Sequence, residues 1–170
     1  MPAESHKGKG DIMKIIVFSD THGNLRSVRK VLDSSGEVDM IFHLGDNVKD
    51  AVKIQQMVSC PVKYVKGNTD FVDAPIEIIE KFFGKVFFLT HGHTYGIKSN
   101  LHRLFYAAQE KNADIVLFGH SHVPYGEEIE GTLLLNPGSV GDKRGQPNET
   151  YGIIDVDMDG NIHWQIADVC

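Results

Sequence analysis

Five short apolar runs in this chain each break off into a polar, glycine-containing segment that carries Asp, Asn or His. Lys14–Ser19 runs into Asp20, Thr21, His22, Gly23 and Asn24, and Met40–Leu44 runs into Gly45, Asp46 and Asn47. Val62–Val65 continues as Lys66, Gly67, Asn68, Thr69 and Asp70, and the two later runs end in Thr90-His91-Gly92-His93 and Gly119-His120-Ser121-His122. Strands buried on both faces have no structural need of such ends. In open α/β sheets the ligand crevice lies beyond the carboxyl ends of the strands, so segments spread from Asp20 to His122 can converge on one pocket. Glycines at 45, 67, 92 and 119 let the backbone turn sharply and approach closely beside each candidate group.

Between these ends, β-branched apolar runs alternate with amphipathic stretches, a pattern that predicts parallel strands joined by helical crossovers. Asn24 is placed to cap a helix that carries Leu25, Val28, Val31 and Leu32 at helical spacing and ends at Gly36. A second helix carries Val48, Val52, Ile54 and Met57 and stops before Pro61. Ile76–Phe83 and Lys85–Leu89 predict a hairpin through Gly84, Ile97–Lys111 a helix, and Ile115–Phe118 a buried strand. Gly126–Glu130, Thr132–Leu135, Tyr151–Asp157 and Asn161–Ile166 read as short strands between turn residues, which predicts an antiparallel C-terminal sheet. Residues 1–12 are polar and aperiodic and read as a disordered leader or tag remnant, leaving 13–170 as a single domain.

Charge and cysteine usage narrow the function classes. With 17 Lys+Arg against 23 Asp+Glu, a net charge of −6 repels polyphosphate backbones and argues against a general nucleic-acid coat protein. No apolar run approaches the roughly 20 residues a membrane span needs, which predicts a soluble protein. Cys60 and Cys170 supply neither a disulfide framework nor a paired-thiol zinc motif, so a reducing, cytoplasmic location is expected. A domain of this size folds on its own core, and homo-oligomer formation stays open.

The strand-end groups define a narrow chemistry. Asp20, His22, Asp46, Asn68, His91, His120 and His122 offer carboxylate, imidazole and amide donors without a thiolate, a set suited to Mn²⁺ above all, and also to Ni²⁺, Fe²⁺, Zn²⁺ or Mg²⁺. They are too many for one tetrahedral ion, but fit two divalent metal ions about 3.5–4 Å apart with a carboxylate between them. Taken singly, each has a plainer explanation: His22 in a loop, Asp46 with Asn47 as a helix cap, Asn68 in a turn. The pairs His91/His93 and His120/His122 are different, because i, i+2 spacing in a strand sets both rings on one face. His6, His43, His102 and His163 read as packed or solvated, and Phe82, Phe83, Phe87 and Phe88 as core.

With these five segments in this order, the sequence resembles the calcineurin-like metallophosphoesterases, and among them the small bacterial and archaeal phosphodiesterases. The likeness runs from about Lys14 to Val140 and takes in Asn136-Pro137-Gly138-Ser139-Val140. It implies a four-layer αββα sandwich, with two mixed β-sheets flanked by helices, around a dinuclear metal centre. By that resemblance Asp20, His22 and His122 would hold one ion, Asn68, His91 and His120 the other, and Asp46 would bridge. The implied activity is metal-dependent phosphodiester hydrolysis, with two ions activating a bridging water or hydroxide against a small phosphodiester substrate. Asp46, Asn68 and His93 are then the catalytic candidates, His93 being surplus to the ligand set and available to the phosphate or to a supporting contact. A phosphomonoesterase of the same superfamily and a retromer-subunit-like interaction scaffold are the alternative readings. One departure matters: the wider superfamily usually has, after the Asn68 equivalent, a histidine that contacts the phosphate and can protonate the leaving group, and here the residue is Thr69. The small branch often has Cys there, while Asp70 matches it. Thr69 therefore predicts a preference for good leaving groups, such as aryl diesters. The segment Gly141-Asp142-Lys143-Arg144 is a second departure, leaving the role of Arg144 open.

Overall fold

The computed structural model describes residues 12–170; the N-terminal segment read as a leader, with His6, lies outside the described residues except for Ile12. Met13–Phe18 (β1) is followed by Leu25–Ser34 (α1), Met40–His43 (β2), Val48–Met57 (α2) and Val62–Tyr64 (β3). Asn24 and Asn47 cap the two helices, accepting the N–H groups of Ser27 and Lys49 at 3.4 and 3.1 Å. Glu77–Phe82 (β4) and Lys85–Thr90 (β5) form the expected hairpin, with Phe83 and Gly84 at φ 49° and 78°. Two residues of positive φ give the turn whose twist matches that of the strands. His102–Glu110 (α3), Ile115–Leu117 (β6), Tyr125–Ile129 (β7), Thr132–Asn136 (β8), Thr150–Val156 (β9) and Ile162–Asp168 (β10) complete the chain. No helix among the described residues is long and apolar enough to cross a membrane.

The strands form two five-stranded sheets, ordered β10-β9-β1-β2-β3 and β4-β5-β6-β8-β7. Each is mixed. In the first, β1, β2 and β3 run parallel and β9 pairs antiparallel with β1; in the second, β5, β6 and β8 run parallel and β4 and β7 are antiparallel edges. The alternation of side chains along each strand builds the layers. Ile15, Val17, Phe42, Phe87, Leu89, Leu117 and Leu135 fill the space between the sheets. Ile16, Phe18 and Ile41 face outward onto Val28, Val31 and Ile54 of α1 and α2, while Phe88, Val116 and Leu134 face Leu104, Ala107 and Ala108 of α3. Helices, sheet, sheet and helix make the four layers, and this αββα sandwich is the expected fold.

Four local expectations need correction. The C-terminal strands do not make one antiparallel sheet, because β8 pairs parallel with β6 and only β9 and β10 join the first sheet. The helix expected over Ile97–Lys111 begins at His102, since Gly96 turns left-handed at φ 61° and Asn100 accepts the His102 N–H. Val52 on α2 is exposed, the buried residues there being Val48, Asp50, Ala51 and Ile54. Phe83 sits at the hairpin tip and is exposed rather than in the core.

Candidate metal centre

Six parallel strands, three from each sheet, send their carboxyl ends to one pole of the sandwich, and the predicted site residues lie in the loops that leave them. Neighbouring loops within each sheet are stitched together. Asp20 N–H donates to the Gly45 carbonyl at 3.0 Å, His22 N–H to that of Asp46 at 3.1 Å, and Gly119 N–H to that of His91 at 2.9 Å. Backbone approach is close at Gly67 and Gly119, where a Cβ would collide with the Asp46 carboxylate and with Ser19 Oγ respectively. Asp70 clamps the second and third loops: its carboxylate accepts the N–H groups of Asp46, Val48 and Gly67 at 2.8–2.9 Å.

Asp20 is at the centre. It is fully buried; its Oδ2 accepts Ser19 Oγ–H at 2.6 Å and His120 N–H at 3.1 Å, while Oδ1 is buried without a hydrogen-bond partner. Around that orphaned oxygen stand the Nε2 atoms of His122, His22 and His91 at 3.2, 3.7 and 3.9 Å. His91 Nε2 also lies 3.3 Å from Asp46 Oδ2 and 3.1 Å from Asn68 Oδ1, and the Nε2 atoms of His22 and His122 are 3.3 Å apart. The opposite nitrogens fix the tautomers. His91 Nδ1–H donates to the Leu44 carbonyl and His122 Nδ1–H to that of Asp142, so in the neutral rings both Nε2 atoms present lone pairs. Acceptors thus face acceptors, an arrangement that needs protons or cations between them. Two groups have the spacing of a metal site, Asp20/His22/His122 and Asp20/Asp46/His91, with Asp20 common to both.

The electrostatics follow from the same contacts. Burial pushes the Asp20 carboxyl up, but His122, His22, His91 and Ser19 outweigh it and hold it well below the usual carboxylate range. Asp46, likewise raised by burial, is brought down to about 2 by His91 and the bond from Thr69. The nearby Asp20 carboxylate raises His22; in His91 burial acts downward, and Asp46 and Asp20 overcome it to raise the ring. His120 is lowered to about 4, first by burial and then by His91 and Lys98.

His120 and His93 complete the cluster at ring distances of 5.1 and 5.4 Å from His91. His93 Nδ1 is buried and unpartnered, and its ring is lowered by burial and by His91. The sequence brought these histidines together for a mistaken reason. β5 ends at Thr90 and β6 at Leu117, so neither pair lies in a strand; Gly92 at φ 103° and the left-handed His120 and His122, at 71° and 63°, make the turns that gather the rings. Asp20, His22 and Asp46 share that left-handed backbone at 54°, 42° and 49°. Sequence reasoning also missed supporting groups. Ser139, on the loop after β8, donates to the Asp20 carbonyl at 2.8 Å and accepts the Asp142 N–H at 2.7 Å. Main-chain carbonyls such as those of Leu44 and Asp142 leave no signal in a sequence. His43 is fully buried as expected, and burial lowers it to about 4. His102 and His163 are exposed and away from the cluster, as expected.

Comparison with known proteins gives the cluster its setting. A probable metallophosphoesterase of Bacillus subtilis, YsnB, is 34% identical over 151 residues, covering 86% of each chain. A phosphodiesterase of Methanocaldococcus jannaschii is 30% identical over 169 residues, covering 85% of this chain and 94% of its own. The crystal structure of a conserved Streptococcus pneumoniae protein, a predicted phosphoesterase, aligns with a TM-score of 0.74 at 30% identity, over 94% of this chain and 99% of that one. The sequence profile of the calcineurin-like phosphoesterase superfamily domain matches residues 13–159, nearly the whole described fold and every loop that feeds the cluster. The chain belongs to the calcineurin-like phosphoesterase superfamily, a family of metal-binding hydrolases.

Proposed function

We propose that the protein is a phosphodiesterase that works with two divalent ions. The observation that carries this reading is the buried, unpartnered Asp20 Oδ1, ringed by three imidazole Nε2 atoms, an environment that suits a cation. Asp20, His22 and His122 would hold one ion, and Asn68, His91 and His120 the other. Asp46 is assigned the place between them by the family resemblance; the loop after β3 steadies it, since its carboxylate accepts Thr69 N–H at 3.1 Å and its own N–H donates to Asp70 at 2.9 Å. Bound ions supply a lowered pKa for coordinated water and positive charge against the phosphate oxygens.

The remaining work falls to side chains of this chain. The Leu44 and Asp142 carbonyls orient His91 and His122, so that neither ring has to be arranged when substrate arrives. His93 has an unpartnered Nδ1 beside the cluster and is surplus to the ligand set, which suits it to contact a phosphate oxygen or to support a neighbouring ligand. Thr69 offers a hydroxyl where the wider superfamily usually has an imidazole, so leaving groups that need no protonation are favoured. A diester whose leaving group is an aryl oxide fits that chemistry, and the diesterase name of the Methanocaldococcus jannaschii relative points the same way.

The test is to measure metal content alongside hydrolysis of an aryl diester and of the monoester with the same leaving group, before and after chelation. Two ions per chain and a faster diester rate, lost on chelation and restored by Mn²⁺, are expected. A faster monoester rate overturns the diester assignment, and one ion at saturation overturns the pair.

A further inference from the structure

Thr21, His43 and Asp50 are buried to within 2% of complete exclusion, and none belongs to the ligand set. They form one hydrogen-bonded unit between the first two strand-end loops. Gly45 N–H donates to His43 Nδ1 at 3.1 Å, so Nδ1 carries the lone pair and the proton of the neutral ring sits on Nε2. His43 Nε2–H then donates to Thr21 Oγ1 at 3.0 Å. The Thr21 hydroxyl must pass its own proton onward, and it does so to Asp50 Oδ2 at 2.6 Å. The free acceptor capacity is filled from the backbone: Thr21 Oγ1 accepts Asn47 N–H at 3.3 Å, and Asp50 Oδ2 accepts Gly23 N–H at 2.7 Å. This direction of donation lets every bond in the unit form at once.

The backbone groups it grips flank the candidate ligands. Thr21 lies between Asp20 and His22, Gly23 follows His22, and Gly45 and Asn47 stand on either side of Asp46. Asp50 is held in place because it sits in the first turn of α2, whose cap is Asn47. A shift of the first loop against the second would break several charge-assisted or buried bonds together, each costly to leave unmade.

We infer that Thr21, His43 and Asp50 are positioning residues: they fix the spacing of the Asp20–His22 loop against Asp46, and with it the affinity of the cluster for divalent ions. This rests on the metal reading above. Calorimetric titration of Mn²⁺ into the chelated protein tests it without any turnover. Thr21→Val and Asp50→Asn are expected to weaken binding by about 10–100-fold, the usual effect of disturbing groups that support metal ligands, with the far-ultraviolet circular dichroism unchanged. Thr21→Ser, which keeps the hydroxyl, is expected to bind nearly as tightly as the parent. Asp50→Asn is isosteric and keeps the question open to measurement where Thr21→Val fails to fold. Parent-like affinity in both disrupted variants overturns the positioning role alone; so does weakening seen only in variants that have lost their circular dichroism, or a Thr21→Ser variant as weak as Thr21→Val. A parent chain that binds no Mn²⁺ overturns the metal reading and this inference together.

Discussion

The two poles of the sandwich are both polar, and they differ in how their polar groups are satisfied. At the pole opposite the cluster, a cavity of about 200 Å³ is lined by Lys85, Asp114, Glu128 and Asn161 among others. Its neighbourhood is chemically settled. Asp114 accepts the Val86 N–H at 2.8 Å, and Asp157 accepts two N–H groups at 2.9 Å and the Asn161 side chain at 3.0 Å. Among the described residues the buried side-chain atoms without a partner are Asp20 Oδ1, Thr90 Oγ1 and His93 Nδ1, all at the cluster pole. Positive φ differs in the residues that bear it: the far pole has it in hairpin turns such as Phe83-Gly84 and Glu130-Gly131, whereas the near pole has it on Asp20, His22, Asp46, His120 and His122 as well as on glycines. Unsatisfied chemistry, rather than empty volume, is what distinguishes a site from a crevice here.

The most direct way to break this comparison is to substitute at both poles. If Asp46 bridges two ions as proposed, Asp46→Asn should cost turnover more than the roughly 10–100-fold expected from a supporting contact, because the amide would weaken both places at once. A variant that keeps both ions and full kcat removes Asp46 from the bridge, and the same change at Asp20, the residue common to both clusters, then becomes the deciding experiment. Chelation comes next. Removing the proposed ions should lower stability by about 2.7 kcal/mol for each ion present at a hundredfold excess over its Kd, while the fold persists on its three apolar clusters. Circular dichroism of an unfolded chain after chelation would contradict it.

Thr69→His sharpens what the near pole lacks. Positioned proton donation is worth about 10²–10⁴-fold in favourable cases, so the variant should raise the ratio of kcat/KM for an alkyl over an aryl diester by at least about tenfold. An unchanged ratio with both ions present takes Thr69 out of the account of leaving-group preference.

The pH dependence of the metal-free chain probes the same pole more gently. His22 and His91 are raised by their carboxylate neighbours, so they contribute stability that is full below their unfolded value near 6.5 and lost as pH climbs through the folded one. Burial lowers His43 and His120 to about 4, and lowers His93 as well; these three contribute stability that is full above about 6.5 and lost as pH falls toward 4. Thermal midpoints of the chelated protein should therefore peak near pH 6.5. Saturating Mn²⁺ should abolish the decline on the alkaline side, because ions bind the deprotonated rings. A midpoint that rises steadily to pH 8 without metal would refute the assignment. The smallest effect is reserved for the far pole, where Glu128→Gln should change stability by no more than about 0.5 kcal/mol and leave turnover alone.

Much of this was legible in the sequence, because strand ends and caps are local. The apolar runs at β1, β2 and β6, the Asn24 and Asn47 caps and the Gly84 hairpin each declare themselves within a few residues. Sheet membership did not, since Thr132–Asn136 carries the same pattern whether it pairs with a hairpin neighbour alone or also lies parallel to Ile115–Leu117. The near pole was found through its side chains, and its supports stayed hidden where they are carbonyls or belong to the sixth strand end, around Ser139.

The left-handed backbone at Asp20, His22, Asp46, His120 and His122 bears on how such a protein would decay under mutation. That conformation costs an L-residue roughly 1–2 kcal/mol, against about 0.5–1 kcal/mol of extra chain entropy that a glycine forfeits on folding. On backbone conformation alone, replacing an exposed left-handed histidine such as His22 by glycine is therefore about neutral for folding. Backbone strain thus opposes the donors at this pole, and only what the side chains bind or pack against keeps them there.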